Sequence, residues 1–267
     1  MAVNGHEIRG VNMNKTFVRY ILPIVLPILI VLMWIYLTEK EVIAAYLIPS
    51  PLVVIDTFIQ FLGDGTLLDD TWTSVSRMLQ GYSLAVVTGL IFGIIMGLFA
   101  RIDQFFAGVF NAVRVIPPLA WIPIIILWFG IGETSKVIII FKGAFFPILL
   151  NTIQGIEGVP KGYLEVSKLM GVSKRKGLFQ VILPAALPSI FVGLRLGLGT
   201  AWMAVVAAEL IASESGLGFR ITQGRELSQP DVMVIGMVMI GLIGVSMDAL
   251  IKLIQKRVLS WQPGIKS

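Results

Sequence analysis

Few side chains in this sequence are suited to covalent chemistry. Cysteine is absent, and histidine occurs once, as His6 in a polar N-terminal stretch. Disulfides and thiolate metal or redox centres are therefore excluded. A nucleophile–base pair or a metal cluster has almost nothing to be built from. No Gly-x-x-x-x-Gly-Lys-(Ser/Thr) phosphate loop occurs, so the chain shows no nucleotide site of its own. What remains is charge placed at depth within apolar runs. Lys142 lies about seven residues into one run, roughly 10 Å at the helical rise. It is placed to attract an anion passing beside it, to pair with Glu209, or to snorkel. Glu209, in a second run, reads as a gate or a packing partner. Arg195, Arg114 and Asp248 read as structural pairing groups. Pro117, Pro118 and Pro123 interrupt a third run and either line a pathway or kink a helix.

The elements that position these groups follow from composition. Of 267 residues, 56% are hydrophobic and 14% charged, and the mean hydropathy is +0.88. An ordinary soluble domain carries about 25% charged residues, so lipid must solvate much of this chain. Apolar runs span Ile21–Leu37, Leu79–Ala100, Phe106–Phe129, Ser135–Gln154, Leu187–Ile211 and Val232–Ile254. They predict an all-α polytopic membrane protein with about six transmembrane helices over 21–258, and short tails at 1–20 and 259–267. The first run is too long for a signal peptide and lacks a small-residue cleavage site. Gly89, Gly93 and Gly97 fall on one face of the second helix, and Gly193 and Gly197 on one face of the fifth. That spacing permits close helix approach. Trp34, Trp121, Trp128, Trp202 and Trp261 fall near expected span ends, as an interfacial belt does.

Loop charge orients the helices. Arg9, Lys15 and Arg19 precede the first run. Lys161, Lys168, Lys174, Arg175 and Lys176 lie between the fourth and fifth, and Lys252, Lys256, Arg257 and Lys266 end the chain. The 38–78 connection is instead mostly acidic. Lys and Arg favour the cytoplasmic side, so both termini and the 155–187 loop are expected there. The net charge of +5 reflects these loops and gives no reason to expect a nucleic-acid partner.

The 158–184 loop has an internal design of its own. Residues 161–170 can form a short helix with Leu164, Leu169 and Met170 among charges, and Gly171 can end it in the left-handed conformation. Pro184 then opens the next span. Such a helix lies on a membrane or fills a groove on another protein.

The same residues carry a resemblance. Glu165-Val166-Ser167, Gly171, Val181 and Leu183-Pro184 match the spacing of the EAA loop (Glu-Ala-Ala, three residues, Gly, nine residues, Ile, one residue, Leu-Pro) of permeases in binding-protein-dependent ABC importers. Valine and serine replace the two alanines, and valine the isoleucine. Over roughly residues 46–262 the chain is similar to the nitrate, sulfonate, taurine and bicarbonate branch. The matching segments are Tyr46–Pro51, Pro117–Pro123, Trp128–Glu133, Phe145–Pro147 with Asn151-Thr152, Ala207–Ile211 and Gly216–Gly218.

The resemblance implies a prokaryotic inner-membrane subunit working with a second permease copy, two cytoplasmic ATPase subunits and an extracytoplasmic solute-binding protein. ATP would be used by the partner, and this chain would bind no cofactor or metal. Glu165, Val166, Ser167, Gly171, Leu183 and Pro184 would form the coupling contact, with Lys142, Pro117, Pro118 and Glu209 as path candidates. The Trp128–Glu133 run leans toward sulfonate or taurine carriers. A stand-alone secondary transporter or channel is the alternative. It would need coupling-ion or gating groups near the midplane, often on broken, repeated helices, and the Glu165–Pro184 pattern would serve no purpose in it.

Overall fold

The computed structural model describes residues 22–40, 42–44 and 46–261. The expected N-terminal tail, Ile21 of the first run and residues 262–267 lie outside it. Among the described residues helices are joined by short turns and loops, with no strand. In chain order the helices are α1 (Leu22–Glu39), α2 (Pro51–Gly63), α3 (Thr66–Leu98), α4 (Ala100–Val115), a 3₁₀ turn (Pro118–Trp121), α5 (Ile122–Phe129) and α6 (Glu133–Glu157). There follow α7 (Lys161–Leu169), α8 (Lys174–Gly177), a π-turn (Leu178–Ile182), α9 (Leu183–Ala212), α10 (Leu217–Glu226) and α11 (Pro230–Val258).

Among the described residues, α3, α6, the Lys174–Glu226 run containing α9, and α11 are long and apolar enough to cross a membrane. The stretch Ala100–Phe129 makes a fifth if its two bent halves are one span. The described part of the first apolar run, Val25–Glu39, is a shorter apolar helix.

The third expected span is not one helix. Its two halves, Ala100–Val115 and Pro118–Phe129, meet at 92°. Pro117 forces Ile116 into extended backbone (φ −75°, ψ 117°), and two successive prolines remove the donors that would carry the helix through. The second half returns into protein, burying Ile122 and Ile125 in the core, which is where a broken backbone at membrane depth must be covered. The second expected span also begins earlier than its apolar run, at Thr66 rather than Leu79.

Helix α6 is the centre of the bundle, packed extensively on α3 and on α9. Small residues allow it. A Cβ added to Gly93 would lie 2.6 Å from the Thr152 Cβ, and one added to Gly193 would lie 2.7 Å from the Asn151 Cβ. Ile140, Ala144, Ile148 and Leu149 of α6 are fully enclosed between the two neighbours. The face expected from Gly89, Gly93 and Gly97 is thus the α3–α6 contact, extended outward by Gly81 against Ile140. Gly93→Leu is expected to lower thermal stability by about 1–3 kcal/mol through overpacking. The same change at Gly108, where an added Cβ meets nothing within 4 Å, is expected to leave it unchanged. Equal melting behaviour of the two purified variants would contradict this packing.

Candidate functional site

Between α6 and α9 the chain builds the unit expected from its sequence. Helix α7 runs from Lys161 to Leu169, and Gly171 follows at φ +69°. Its N–H donates to the Lys168 carbonyl, and that of Val172 to the Ser167 carbonyl. These bonds satisfy the last turn, and they need a left-handed residue that a side chain would strain. Glu165, Val166, Leu169 and Met170 are exposed, the last two at 87% and 76%. Leu164 and Ser167 are half-buried. Leu183 and Pro184 sit at the first turn of α9, directly after the π-turn. The loop therefore presents apolar side chains beside Lys161, Lys168, Lys174, Arg175 and Lys176, and its own bundle does not bury them.

The path candidates divide. Lys142 and the proline pair come together: the lysine Nζ donates to the Ile116 carbonyl at 2.5 Å and lies 5.1 Å from the Trp121 ring centroid. It thus holds a carbonyl that the helix break leaves without a partner. Glu209 is elsewhere and is not the partner of Lys142. Among the described residues, no carboxylate oxygen lies within 4.0 Å of that lysine. Arg195 and Asp248 pair with each other, Nε to Oδ1 at 2.6 Å.

Glu209 belongs to a buried polar cluster. Arg77 of α3 donates through Nε and Nη2 to the two oxygens of Glu133, both at 2.6 Å, and through Nη1 to Glu209 Oε1 at 2.8 Å. Lys136 donates to Glu133 at 2.9 Å. The Ser74 hydroxyl donates to Glu209. Three side chains then receive the first N–H groups of α10: Gly216 N–H donates to Asp70, Leu217 N–H to Ser74 Oγ and Gly218 N–H to Glu209, at 3.0, 2.9 and 3.0 Å. Carboxylates at a helix N-terminus satisfy orphan donors and favour the dipole. Arg220 of α10 closes the set on Asp70 at 2.7 Å.

A Cβ at Gly216, where φ is +104°, would lie 2.3 Å from the Glu209 Oε1, so only glycine fits. The three separate segments Trp128–Glu133, Ala207–Ile211 and Gly216–Gly218 thus meet at one point. Sequence reading missed Asp70, Ser74, Arg77 and Glu133. The available signal was the string of polar residues at helical spacing, Asp70, Ser74 and Arg77, just ahead of the second apolar run.

Apolar helices of membrane-crossing length around a small-residue core define a polytopic membrane protein. Within that class, residues 85–260 match the family described as binding-protein-dependent transport system inner membrane component, and the chain belongs to that family. It is 38% identical to a chain of Methanocaldococcus jannaschii provisionally named an ABC transporter permease, covering 97% of this chain and 98% of that one. It is 35% identical to the Bacillus subtilis protein provisionally named aliphatic sulfonates transport permease SsuC, over 90% of this chain and 87% of the relative. The taurine transport system permease TauC of Escherichia coli is 33% identical over 85% of each chain. A solved structure of the MetNI methionine ABC transporter in inward-facing conformations aligns with TM-score 0.64 at 20% identity, over 72% of this chain and 96% of that one. That likeness establishes the fold.

Proposed function

We propose that this chain carries a small anion across the membrane, most consistently taurine or another aliphatic sulfonate, with nitrate and bicarbonate as the other members of the class. It works as a pair of permease copies, receives substrate from an extracytoplasmic binding protein, and is driven by two ATPase subunits docked on α7. Hydrolysis belongs to those subunits, and this chain contributes no catalytic group and binds no cofactor. The observation that carries the reading is the exposed α7–Gly171 unit with its loop of basic residues, a rigid apolar knob that the bundle itself leaves uncovered. Relatives named for taurine and aliphatic sulfonates support the substrate class, and the cation Lys142, which meets no carboxylate among the described residues, agrees with an anion.

Both termini and α7 face the cytoplasm in this reading. Reporter fusions after Gly63 and Gly224 are expected outside, and fusions after Lys176 and Ser267 inside. Because the chain contains no cysteine, Glu165→Cys introduces a unique thiol. It is expected to cross-link to the ATPase subunit in assembled membranes. An external Lys176 fusion, or no cross-link in a complex that still transports, would overturn the docking assignment.

A further inference from the structure

A cavity lies where α1 stops and α11 starts, and the transport reading makes no use of it. Its larger lobe, about 450 Å³, sits between the second half of α1 and the first two turns of α11 and is almost wholly apolar. From Ile30 to Thr38 on α1 and from Pro230 to Met237 on α11 it runs about 10–12 Å at the helical rise. The hydrocarbon of one membrane leaflet is about 15 Å deep, half of the bilayer core. Met33, Met233 and Met237 line this lobe, and methionine adapts its shape to a flexible apolar ligand.

A smaller lobe of about 270 Å³ shares Thr38, Ile43, Ile48, Pro49 and Pro230 with the first, so the two are continuous. This one is polar, and Ser50, Ser228 and Asp231 line it. The Thr57 hydroxyl donates to Asp231 Oδ2 at 2.6 Å. Among the described residues, Asp231 Oδ1 accepts no hydrogen bond, and no lysine or arginine nitrogen lies within 4.0 Å of that carboxylate. Ser50 Oγ accepts from the Val53 N–H at 3.4 Å, which leaves its own proton free to donate.

Ser228 is an independent sign of a ligand. It stands at φ +56°, in the left-handed region. Its N–H donates to the Arg225 carbonyl and that of Gln229 to the Gly224 carbonyl, closing α10 in the arrangement where glycine is usual. Serine is the strained choice there, and it adds a hydroxyl to the polar lobe. Strain of this kind clusters at ligand clamps.

We propose that the two lobes bind one membrane phospholipid with an ethanolamine headgroup, at a site separate from the path of the transported solute. An acyl chain fills the apolar lobe, the ammonium meets Asp231, and the phosphate accepts from the hydroxyls of Ser50 and Ser228. A primary ammonium donates charge-assisted hydrogen bonds to a carboxylate. A choline headgroup has no N–H to offer, and an anionic headgroup brings a like charge to Asp231. Bound there, the lipid fills the gap between α1 and α11 and fastens the first helix to the bundle.

The test uses the complete transporter with its ATPase, stripped of lipid in detergent. It is titrated with phosphatidylethanolamine, phosphatidylcholine and phosphatidylglycerol of identical acyl chains, and native mass spectrometry counts the lipid retained. One phosphatidylethanolamine per permease chain is expected, held at least ~10-fold more tightly than the other two, as a hydrogen bond between charged groups supports. Asp231→Asn still accepts from Thr57 and should reduce the three lipids to equal retention. Met237→Trp, which fills the apolar lobe, should lose all three. Ser228→Gly relieves the backbone and should raise the melting temperature of the lipid-free protein while weakening its hold on phosphatidylethanolamine. A purely structural serine would change the first and leave the second alone. Equal retention of the three lipids by the parent, or an ethanolamine preference that survives in Asp231→Asn, would overturn the site. So would a parent that retains no lipid because residues 1–21 or a second copy occupy the cavity. None of these outcomes bears on the Glu165→Cys cross-link, so the importer reading stands or falls separately.

Discussion

Arg77→Met is expected to cost about 3–5 kcal/mol, the largest effect of any single substitution considered. The guanidinium side chain is 4% exposed and Glu209 1%. Removing the cation leaves a buried carboxylate without its counter-charge, and breaking such a pair is far more damaging than never having had it. In a chain of this size the thermal midpoint of the purified protein should fall by on the order of 10 °C. Glu133→Gln should cost about 1 kcal/mol or less, because Glu133 is 60% exposed and water screens its contribution. The double variant Arg77→Met, Glu209→Gln removes both charges and should recover part of the loss. An Arg77→Met protein that melts like the parent would show that the cluster does not hold α3, α6, α9 and α10 together. Because the first donors of α10 end on Asp70, Ser74 and Glu209, the expected structural consequence is release of that helix, read as faster amide exchange at residues 216–220.

Gly171→Leu is expected to abolish ATP-dependent uptake while leaving the chain folded in the membrane. The space beyond an added Cβ is open, so the effect is conformational. At φ +69° a leucine costs about 1–2 kcal/mol, enough to change how α7 ends and where Met170 and Val172 point. Asparagine tolerates that region far better, so Gly171→Asn should keep most uptake. ATP hydrolysis by the assembled complex should become uncoupled from substrate in the leucine variant and remain coupled in the asparagine one. Equal uptake by the two variants at equal expression would remove the role assigned to this backbone position. Unequal melting of the two in the absence of the ATPase would place the defect in the fold.

What could be read from the residues alone were properties carried along the chain. Long apolar runs partition into lipid whatever they pack against, so α6, α9 and α11 fall where hydropathy puts them. The α7–Gly171 unit was legible for a related reason. Its helix, its left-handed cap and the proline after it are set by neighbours within a few residues. The small-residue faces could also be seen, since fourfold spacing states which side a helix offers.

Pairing was decided only in three dimensions. Glu209 was legible as an intramembrane charge, but its partner stands 132 residues away on α3, and Lys142 was an equally good candidate by sequence. Arg77 itself looked like loop charge, because α3 continues about three turns beyond its apolar stretch and polar residues there read as solvent-exposed until a neighbour covers them. Pro117 and Pro118 announced a break, yet a proline removes a donor and fixes one dihedral. The 92° turn and the return of Ile122 and Ile125 into the core depend on what α6 leaves open beside it. Local conformation and solvent partition are sums over neighbours in sequence. Ion pairing and helix trajectory depend on distances that exist only after α3, α6 and α9 have packed.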